Sequence, residues 1–249
     1  MDIRLERPED YAEVEKLTRD AFWNVFRPGC LEHYVLHRFR TDPDFIPELD
    51  FVMEEDGRII GHVMFSKAVL VLDDGTEKPS WTFGPISIHP NFKRRGYGLK
   101  LLEYSLDKAR EMGVGFLCME GNIDFYKHAG FRPASEFGIH YHSEPRDAVV
   151  PYFLANELIP GWLGGIEATY TPPRGYFVAD AEPDAFEEKG FAALWGDYFP
   201  DNPASGRVME KCGFVDTGRE VMCPNLIVGS DRPVHVMRLD RKEDGRHSA

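Results

Sequence analysis

Apolar residues near the start of the chain recur at the spacing of helices. One stripe, with steps of three, three and four residues, comprises Tyr11, Val14, Leu17 and Ala21. This spacing places the side chains on one face of a helix, and Pro8 with the acidic pair after it is typical of a helix first turn. A second short helix is predicted over residues 31–39, because proline steps at 42–43 and 46–47 break it.

A stretch with strand character follows these helices. Strands are predicted over residues 51–54, 59–72 and 81–88, with Gly-containing turns at 55–57 and 73–75 between them. The dipeptide His89-Pro90 ends the third strand, because proline cannot donate to a strand ladder.

The period then returns to that of a helix. Leu99, Leu102, Leu106 and Ala109 form an apolar stripe opposite charged residues, and Gly113 is a plausible helix stop. The continuous apolar run 114–120 has the length of a strand at the centre of a sheet. A short helix is predicted over residues 123–129, ending at Gly130. Elements of both kinds in this order predict an α/β (α+β) fold.

The remainder of the chain is less regular. Aromatic residues at positions 141, 152, 153, 162 and 170 suggest further strands and packed loops, and the Pro-Pro-containing stretch 171–175 is the best candidate for a linker. The charged tail 241–249 is expected to be disordered.

Composition narrows the function. The formal net charge of −13 argues against nucleic acid and anionic membrane surfaces as partners, since both require a basic face. It weakly favours a cationic substrate, although acidity that simply maintains solubility is the stronger explanation. The N-terminus has no apolar run typical of a signal peptide, and the four cysteines form neither a Cys-x-x-Cys pair nor a zinc-finger pattern. We therefore expect a cytoplasmic protein with free thiols and no metal.

One hexapeptide between the third strand and the following helix carries chemistry. It reads Lys93-Arg94-Arg95-Gly96-Tyr97-Gly98. A helix start presents unpaired N–H groups and a positive dipole end, and glycines let a phosphate approach the backbone closely. The physical prediction is a diphosphate cradle. The alternative is an ordinary strand-to-helix turn with solvated charges, because the motif is neither a Walker loop nor a dinucleotide fingerprint.

The surroundings of the hexapeptide resemble the GNAT superfamily of acetyl-CoA-dependent N-acetyltransferases. The family's cradle is Arg/Gln-x-x-Gly-x-Gly/Ala, in which Lys93 takes the first position here, and its closing Tyr-x-x-x-Gly-Phe pattern is present as Tyr126, Gly130 and Phe131. Residues 1 to about 190 further resemble a group of predicted bacterial small-molecule N-acetyltransferases. The resemblance implies a mixed, mostly antiparallel central sheet with a splayed strand pair, flanked by helices.

The resemblance also implies a mechanism. Acetyl-CoA is the co-substrate, and its pantetheine arm lies in the gap between the splayed strands. Tyr126 is the implied general acid, which protonates the departing thiolate, while backbone N–H groups near Ile86 and Ile88 polarise the thioester carbonyl. The implied donor-binding set is Ile86, Ser87, Ile88, Lys93, Arg94, Arg95, Gly96, Tyr97, Gly98, Leu99, Asn122, Phe125 and Tyr126.

The acceptor side is less determined. Glu120, at the end of the central strand, is the first candidate for the general base that takes the amine proton; His89 is a second, and a chain of waters without a single base is the alternative. Four aromatic residues in the segment where the family builds its acceptor pocket are predicted to line the amine site, although core packing explains them equally well. They are Phe22, Trp23, Phe26 and Tyr34.

The C-terminal part contains an incomplete echo of the same pattern. Residues 202–214 resemble the late helix of ribosomal-protein-type N-acetyltransferases, but Met209 stands at the tyrosine position, and a thioether cannot donate a proton. No basic Gly-x-Gly cradle precedes it. We therefore predict an acetyltransferase domain at 1–175, a partial second half-domain or sheet extension at 176–240, and the tail. The alternative is a single domain with a coincidental resemblance.

Two functions follow. The first is an enzyme that acetylates a primary amine, and it is compatible with a homodimer. Its candidate acceptors are a small amine, which is favoured, an aminoglycoside-like polycation, an amino acid and a protein N-terminus. The second is a non-catalytic module that binds or senses acyl-CoA or a small ligand. Tyr126 and the cradle are both present in the first copy, which favours the enzyme.

Overall fold

The computed structural model describes residues 1–25, 29–177, 193–200, 203–225 and 230–240. These residues form two compact units. The first contains Met1–Phe22 and Leu31–Tyr176; the second contains the described parts of residues 23–30 and of the chain after Tyr176. The predicted tail and Phe26 lie outside the described residues. None of the described helices has both the length and the apolar composition needed to cross a bilayer.

The first unit is built from strands and four helices. The strands are β1 (Asp2–Leu5), β2 (Phe51–Glu55), β3 (Arg58–Leu72), β4 (Glu77–Ile88), β5 (Phe116–Glu120), β6 (Arg132–Pro133), β7 (Ile139–Tyr141), β8 (Phe153–Glu157) and β9 (Ala168–Tyr170). The helices are α1 (Tyr11–Phe22), α2 (Glu32–Phe39), α3 (Tyr97–Glu111) and α4 (Ile123–Tyr126).

These strands form one sheet in the order β1-β2-β3-β4-β5-β8-β6, and β9 joins β3 to β7. Pairing is antiparallel except between β4 and β5 and between β7 and β9. The predicted mixed, mostly antiparallel sheet is therefore confirmed. The long strand β3 holds it together, because β4 pairs along most of one edge while β2 and β9 share the other.

Apolar side chains cover both faces of the sheet. On one face the stripe of α3, with Leu101, Leu102 and Leu106 buried, packs among strand residues such as Phe51 and Leu117. The other face carries a second cluster that includes Phe116, Cys118 and Tyr170. Burial on both faces explains why residues 116–119 are uninterrupted by polar residues.

The helical pattern located the elements but not their ends. Helix α3 begins two residues before the predicted stripe, and Gly113 follows it with φ +85°, the left-handed conformation that a helix stop requires. Before α1, Pro8–Asp10 form a separate 3-10 turn. Strand β5 starts at Phe116 rather than at residue 114, and the predicted helix 123–129 is α4 followed by the 3-10 turn Lys127–Ala129.

The predicted linker 171–175 packs against the first unit. A Cβ added to Gly175 would lie 2.7 Å from the Phe39 ring, and the Tyr176 ring contacts Phe39 with centroids 4.6 Å apart. The Pro-Pro-containing segment is therefore held by aromatic packing, and the first unit extends through Tyr176.

The second unit contains β10 (Ala193–Tyr198), α5 (Pro203–Lys211), β11 (Val215–Asn225) and β12 (Ser230–Asp240). Its three strands form an antiparallel sheet in the order β10-β12-β11. Val234 and Met237 of β12 are buried.

Candidate active site

Strands β4 and β5 separate soon after they meet. The register joins them only at Trp81 and Leu117. Strand β5 pairs with β8 along its whole length, from Phe116 to Glu120. Strand β4 continues beside β3 as far as Ile88. Among the described strands, none pairs with this edge of β4 after Trp81. The predicted splayed pair is thus present, with backbone N–H and C=O groups of β4 facing a gap.

A bulge marks the start of the gap. Gly84 and Pro85 of β4 lie opposite the single residue Met64 of β3, which shifts the register of the rest of the strand. Tyr176 Oη donates a hydrogen bond of 2.9 Å to Gly84 O. This hydrogen bond holds the bulge in place.

The hexapeptide 93–98 has the backbone of an anion cradle. Arg94 and Gly96 both adopt positive φ, +60° and +82°, and Gly96 is the N-cap of α3. Left-handed residues within a turn can direct the neighbouring backbone N–H groups toward one concavity. A Cβ added at Gly96 would meet no atom within 4 Å, so the concavity is open.

The side chains of the cradle differ in direction. Lys93 Nζ donates to Ala21 O, the last turn of α1, at 2.8 Å, and partial burial lowers its pKa. In this position the ammonium group interacts with the C-terminal end of α1, and its role toward a phosphate stays a prediction. Tyr97 Oη donates to Glu55 Oε1 at 2.7 Å, and the Arg95 guanidinium lies over the Phe92 ring. All three cations of the turn, Lys93, Arg94 and Arg95, are exposed.

Tyr126 is held by aromatic rings. Its centroid lies 5.9 Å from Phe83, 4.8 Å from Phe125 and 5.8 Å from Phe131. A Cβ added to Gly121 would lie 2.3 Å from the ring, so glycine is required there. Burial raises the pKa of Tyr126 well above its usual value, so the hydroxyl keeps its proton at neutral pH. Within the described residues it makes no hydrogen bond.

The two candidate bases differ in setting. Glu120 is exposed at the end of β5, and Tyr141 Oη donates to its Oε1 at 2.6 Å. His89 Nδ1 accepts a hydrogen bond of 3.2 Å from Asn91 N, which caps the 3-10 turn Pro90–Phe92. That bond occupies one ring nitrogen of His89 in a turn.

The remaining predicted donor residues have structural contacts of their own. Ser87 is buried, with Oγ 3.0 Å from Thr18 Oγ. Asn122 caps α4 through a 2.9 Å bond from Asp124 N to Oδ1. Ile86, Ile88 and Phe125 pack against the core beneath the gap, and Leu99 lies in the first turn of α3. Their roles toward acetyl-CoA stay predictions.

The predicted acceptor residues lie in two helices and in the segment after α1, and their role toward the amine stays a prediction. Phe22 ends α1 and is half-buried. Tyr34 lies in α2 and stacks on His37. Trp23 groups with the second unit. Tyr141 and Tyr152 lie near Glu120, and Tyr176 lies at the β4 bulge. The sequence indicates no functional role for them beyond the tyrosine content of this irregular region.

A buried charge network lies elsewhere in the first unit. Atoms of Glu6, Asp50 and His62 lie within 4.8 Å of one another, as metal ligands do. However, Arg40 Nε and NH2 already bind the two Glu6 oxygens at 3.0 and 2.7 Å, and His62 Nε2 lies 2.7 Å from Asp50 Oδ1. A guanidinium at that position repels a cation, so we describe the group as an ion-pair network.

The second unit repeats the local geometry of the first. Phe214 N donates to Met209 O at 2.9 Å, as Phe131 N donates to Tyr126 O at 3.2 Å. Gly213 has φ +89° and Gly130 +87°. The two segments therefore end their helices in the same way, but the second unit has the thioether of Met209 where the first has the phenol of Tyr126.

Three comparisons bear on this geometry. The Acetyltransferase (GNAT) family matches residues 15–131. An uncharacterized N-acetyltransferase of Escherichia coli, YjhQ, is 23% identical over 90 residues, 36% of this chain and 49% of its own; the chain thus matches about half the length of this curated relative.

Two solved structures share the fold. A GNAT family acetyltransferase from Brucella melitensis, in complex with acetyl-CoA, has 25% identity and a TM-score of 0.55, with 70% of this chain and 97% of that chain covered. YhbS of Escherichia coli, in complex with CoA, has 22% identity and a TM-score of 0.57, with 68% and 89% covered. Together with the splayed strands and the helix-start cradle, these matches identify residues 15–131 as a domain of the GNAT superfamily of acetyltransferases.

Proposed function

We propose that the chain transfers the acetyl group of acetyl-CoA to the nitrogen of a primary amine. The observation that carries the proposal is the gap between β4 and β5 beside the open cradle at the start of α3. Acetyl-CoA has a diphosphate for the cradle and an amide-rich arm for the unpaired edge of β4. The Brucella melitensis and Escherichia coli structures that share this fold contain acetyl-CoA and CoA, which supports the same donor here.

The residues around the gap divide the steps of acetyl transfer among them. Backbone N–H groups of Gly96 and its neighbours bind the diphosphate. The amine loses a proton to Glu120, directly or through water, and its nitrogen attacks the thioester carbonyl carbon. As the C–S bond breaks, Tyr126 donates its proton to the sulfur. Backbone N–H groups near Ile86 and Ile88 stabilise the oxyanion.

Replacing Gly96 by valine tests the donor site. A valine side chain would occupy the open space beside the proposed cradle and strain a backbone with φ +82°. We therefore expect acetyl-CoA affinity to fall at least about tenfold, the loss of one or two charge-assisted hydrogen bonds. Isothermal titration calorimetry measures it. Gly75→Val is the matched control, since Gly75 has φ +81° and equally open space but lies in the β3–β4 turn. Equal affinity of both variants would contradict the proposal.

The alternative, a sensor that binds acyl-CoA without turnover, is separated by a second measurement. Release of CoA thiol with a panel of primary amines is expected for the enzyme. A sensor would bind acetyl-CoA with the same dependence on Gly96 and release no thiol above the rate without protein.

Met209→Tyr tests whether the second unit has chemistry of its own. We expect one acetyl-CoA bound per chain in both the wild type and the variant, with turnover changed by less than about twofold, because no phosphate cradle accompanies this helix. Calorimetric stoichiometry and CoA release measure both. Two bound molecules per chain in either protein would show that the second unit is a donor site.

A further inference from the structure

Glu120 lies among tyrosines at one end of the gap. Tyr141 donates to Glu120 Oε1, and its ring centroid lies 6.1 Å from Tyr152 and 6.5 Å from Tyr170. Tyr152 is 45% exposed although it precedes a buried strand. We name Glu120, Tyr141, Tyr152 and Tyr170 the tyrosine cluster. It adjoins the reaction centre, because the residue after Glu120 is Gly121, against which the Tyr126 ring packs.

The cluster has the features of a site for an organic cation. Tyr141 uses one carboxylate oxygen of Glu120, while Oε2 has no hydrogen-bond partner in the part of the chain that is described. Aromatic faces attract ammonium groups, most strongly where a carboxylate balances the charge. Burial raises the pKa of both Tyr141 and Tyr152, and the nearby charges that add to it, Glu120 and Glu144, are both carboxylates.

The same features disfavour other amines. An α- or ω-amino acid would bring its carboxylate toward Glu120 and Glu144. A neutral aromatic amine can donate a hydrogen bond to Glu120 Oε2 but brings no positive charge to it. An alkylamine with a second ammonium group suits the cluster best, because it places a positive charge near each carboxylate.

We propose that the acceptor is an alkylammonium without a carboxylate, preferably a diamine, bound by Glu120 Oε2 against the rings of Tyr141 and Tyr152, and that Tyr141 is a positioning residue which orients Glu120. The cation site is an acceptor site only if the proposed acetyltransferase function holds. The bound ammonium loses its proton to Glu120 or to water before its nitrogen attacks the thioester, and Tyr126 protonates the departing sulfur.

The test compares three probes of similar length: 1,5-diaminopentane, pentylamine and 5-aminopentanoate. Equilibrium binding of each is measured by calorimetry without CoA, and kcat and KM are measured with acetyl-CoA. We expect the diamine to bind best and 5-aminopentanoate at least about tenfold more weakly, as expected when a charge is unpaired. Glu120→Gln should remove most of this preference.

Substitutions at Tyr141 separate positioning from packing. Tyr141→Phe retains the ring and loses the hydrogen bond to Glu120, so KM for the diamine should rise about five- to tenfold with a smaller change in kcat. Tyr141→Ala, which also removes the aromatic face, should raise it further. Tyr104→Phe is the control, since Tyr104 packs on Phe51 away from the cluster.

The outcomes distinguish the two proposals. Equal binding of diamine and amino acid, or diamine binding that is unchanged in Glu120→Gln and Tyr141→Phe, overturns the inference even if other amines are acetylated. Absence of acetyl-CoA binding overturns the proposed function, whereas the CoA-free titrations still decide the cation site.

Discussion

Arg40→Leu is expected to lower the free energy of unfolding by about 3–5 kcal/mol, the usual cost of removing one partner from a buried ion pair. The Arg40 side chain is 5% exposed and that of Glu6 1%. Arg40 binds both Glu6 oxygens, donates to Glu15 Oε1 at 2.6 Å, and lies 3.9 Å over the Tyr11 ring. Leucine fills part of the volume but leaves the Glu6 carboxylate buried without a cation.

The pH dependence of this loss follows from Glu6. Burial raises the pKa of Glu6 to about 7, against its ordinary value of 4.5. A carboxyl whose pKa is raised in the folded state favours folding at low pH, and that contribution is lost as pH rises through the folded pKa. Without Arg40 the pKa rises further, so the deficit should be smaller at pH 5 than at pH 8.

Arg146→Leu is the matched control. Arg146 also binds two carboxylates, Asp73 and Glu167, but its side chain is 50% exposed and theirs 61% and 65%. A surface pair of this kind contributes less than about 1 kcal/mol. Chemical denaturation of the three proteins measures the difference. If both variants lose the same stability at pH 8, the Arg40 network contributes no more than a surface ion pair.

Local signals predicted the backbone geometry at the start of α3 and after Tyr126. The cradle and the closing pattern of Tyr126 each lie within a few residues. Each requires a glycine with positive φ, and the sequence has Gly96 and Gly130 at those positions. The amphipathic stripe of α3 and the apolar run of β5 likewise located the two elements that border the gap. The direction of a side chain could not be predicted from neighbouring residues. Lys93 is close to the glycines in sequence, but its ammonium group contacts the end of α1.

Nonlocal contacts account for what the sequence could not predict. Arg40 meets Glu6 and Glu15 across 34 and 25 residues, and Tyr141 meets Glu120 across 21. No periodicity encodes such pairs, because they depend on which strands become neighbours.

Tyr126→Phe is expected to lower turnover about 100-fold or more, the usual cost of losing a general acid. The substitution removes one oxygen and keeps the ring, so packing on Phe83, Phe125 and Phe131 should be retained. The dissociation constant for acetyl-CoA should therefore change by less than about threefold, since the cradle lies at the start of α3 and not at Tyr126.

Two comparisons make this result specific. Tyr104→Phe removes a tyrosine hydroxyl elsewhere in the first unit and should turn over at the wild-type rate. Tyr126→Met reproduces the side chain that the second unit carries at Met209 and should be as slow as phenylalanine, because neither side chain can protonate a thiolate. Single-turnover kinetics with a saturating amine measure the chemical step. A wild-type rate for Tyr126→Phe would mean that Tyr126 only packs and that water supplies the proton.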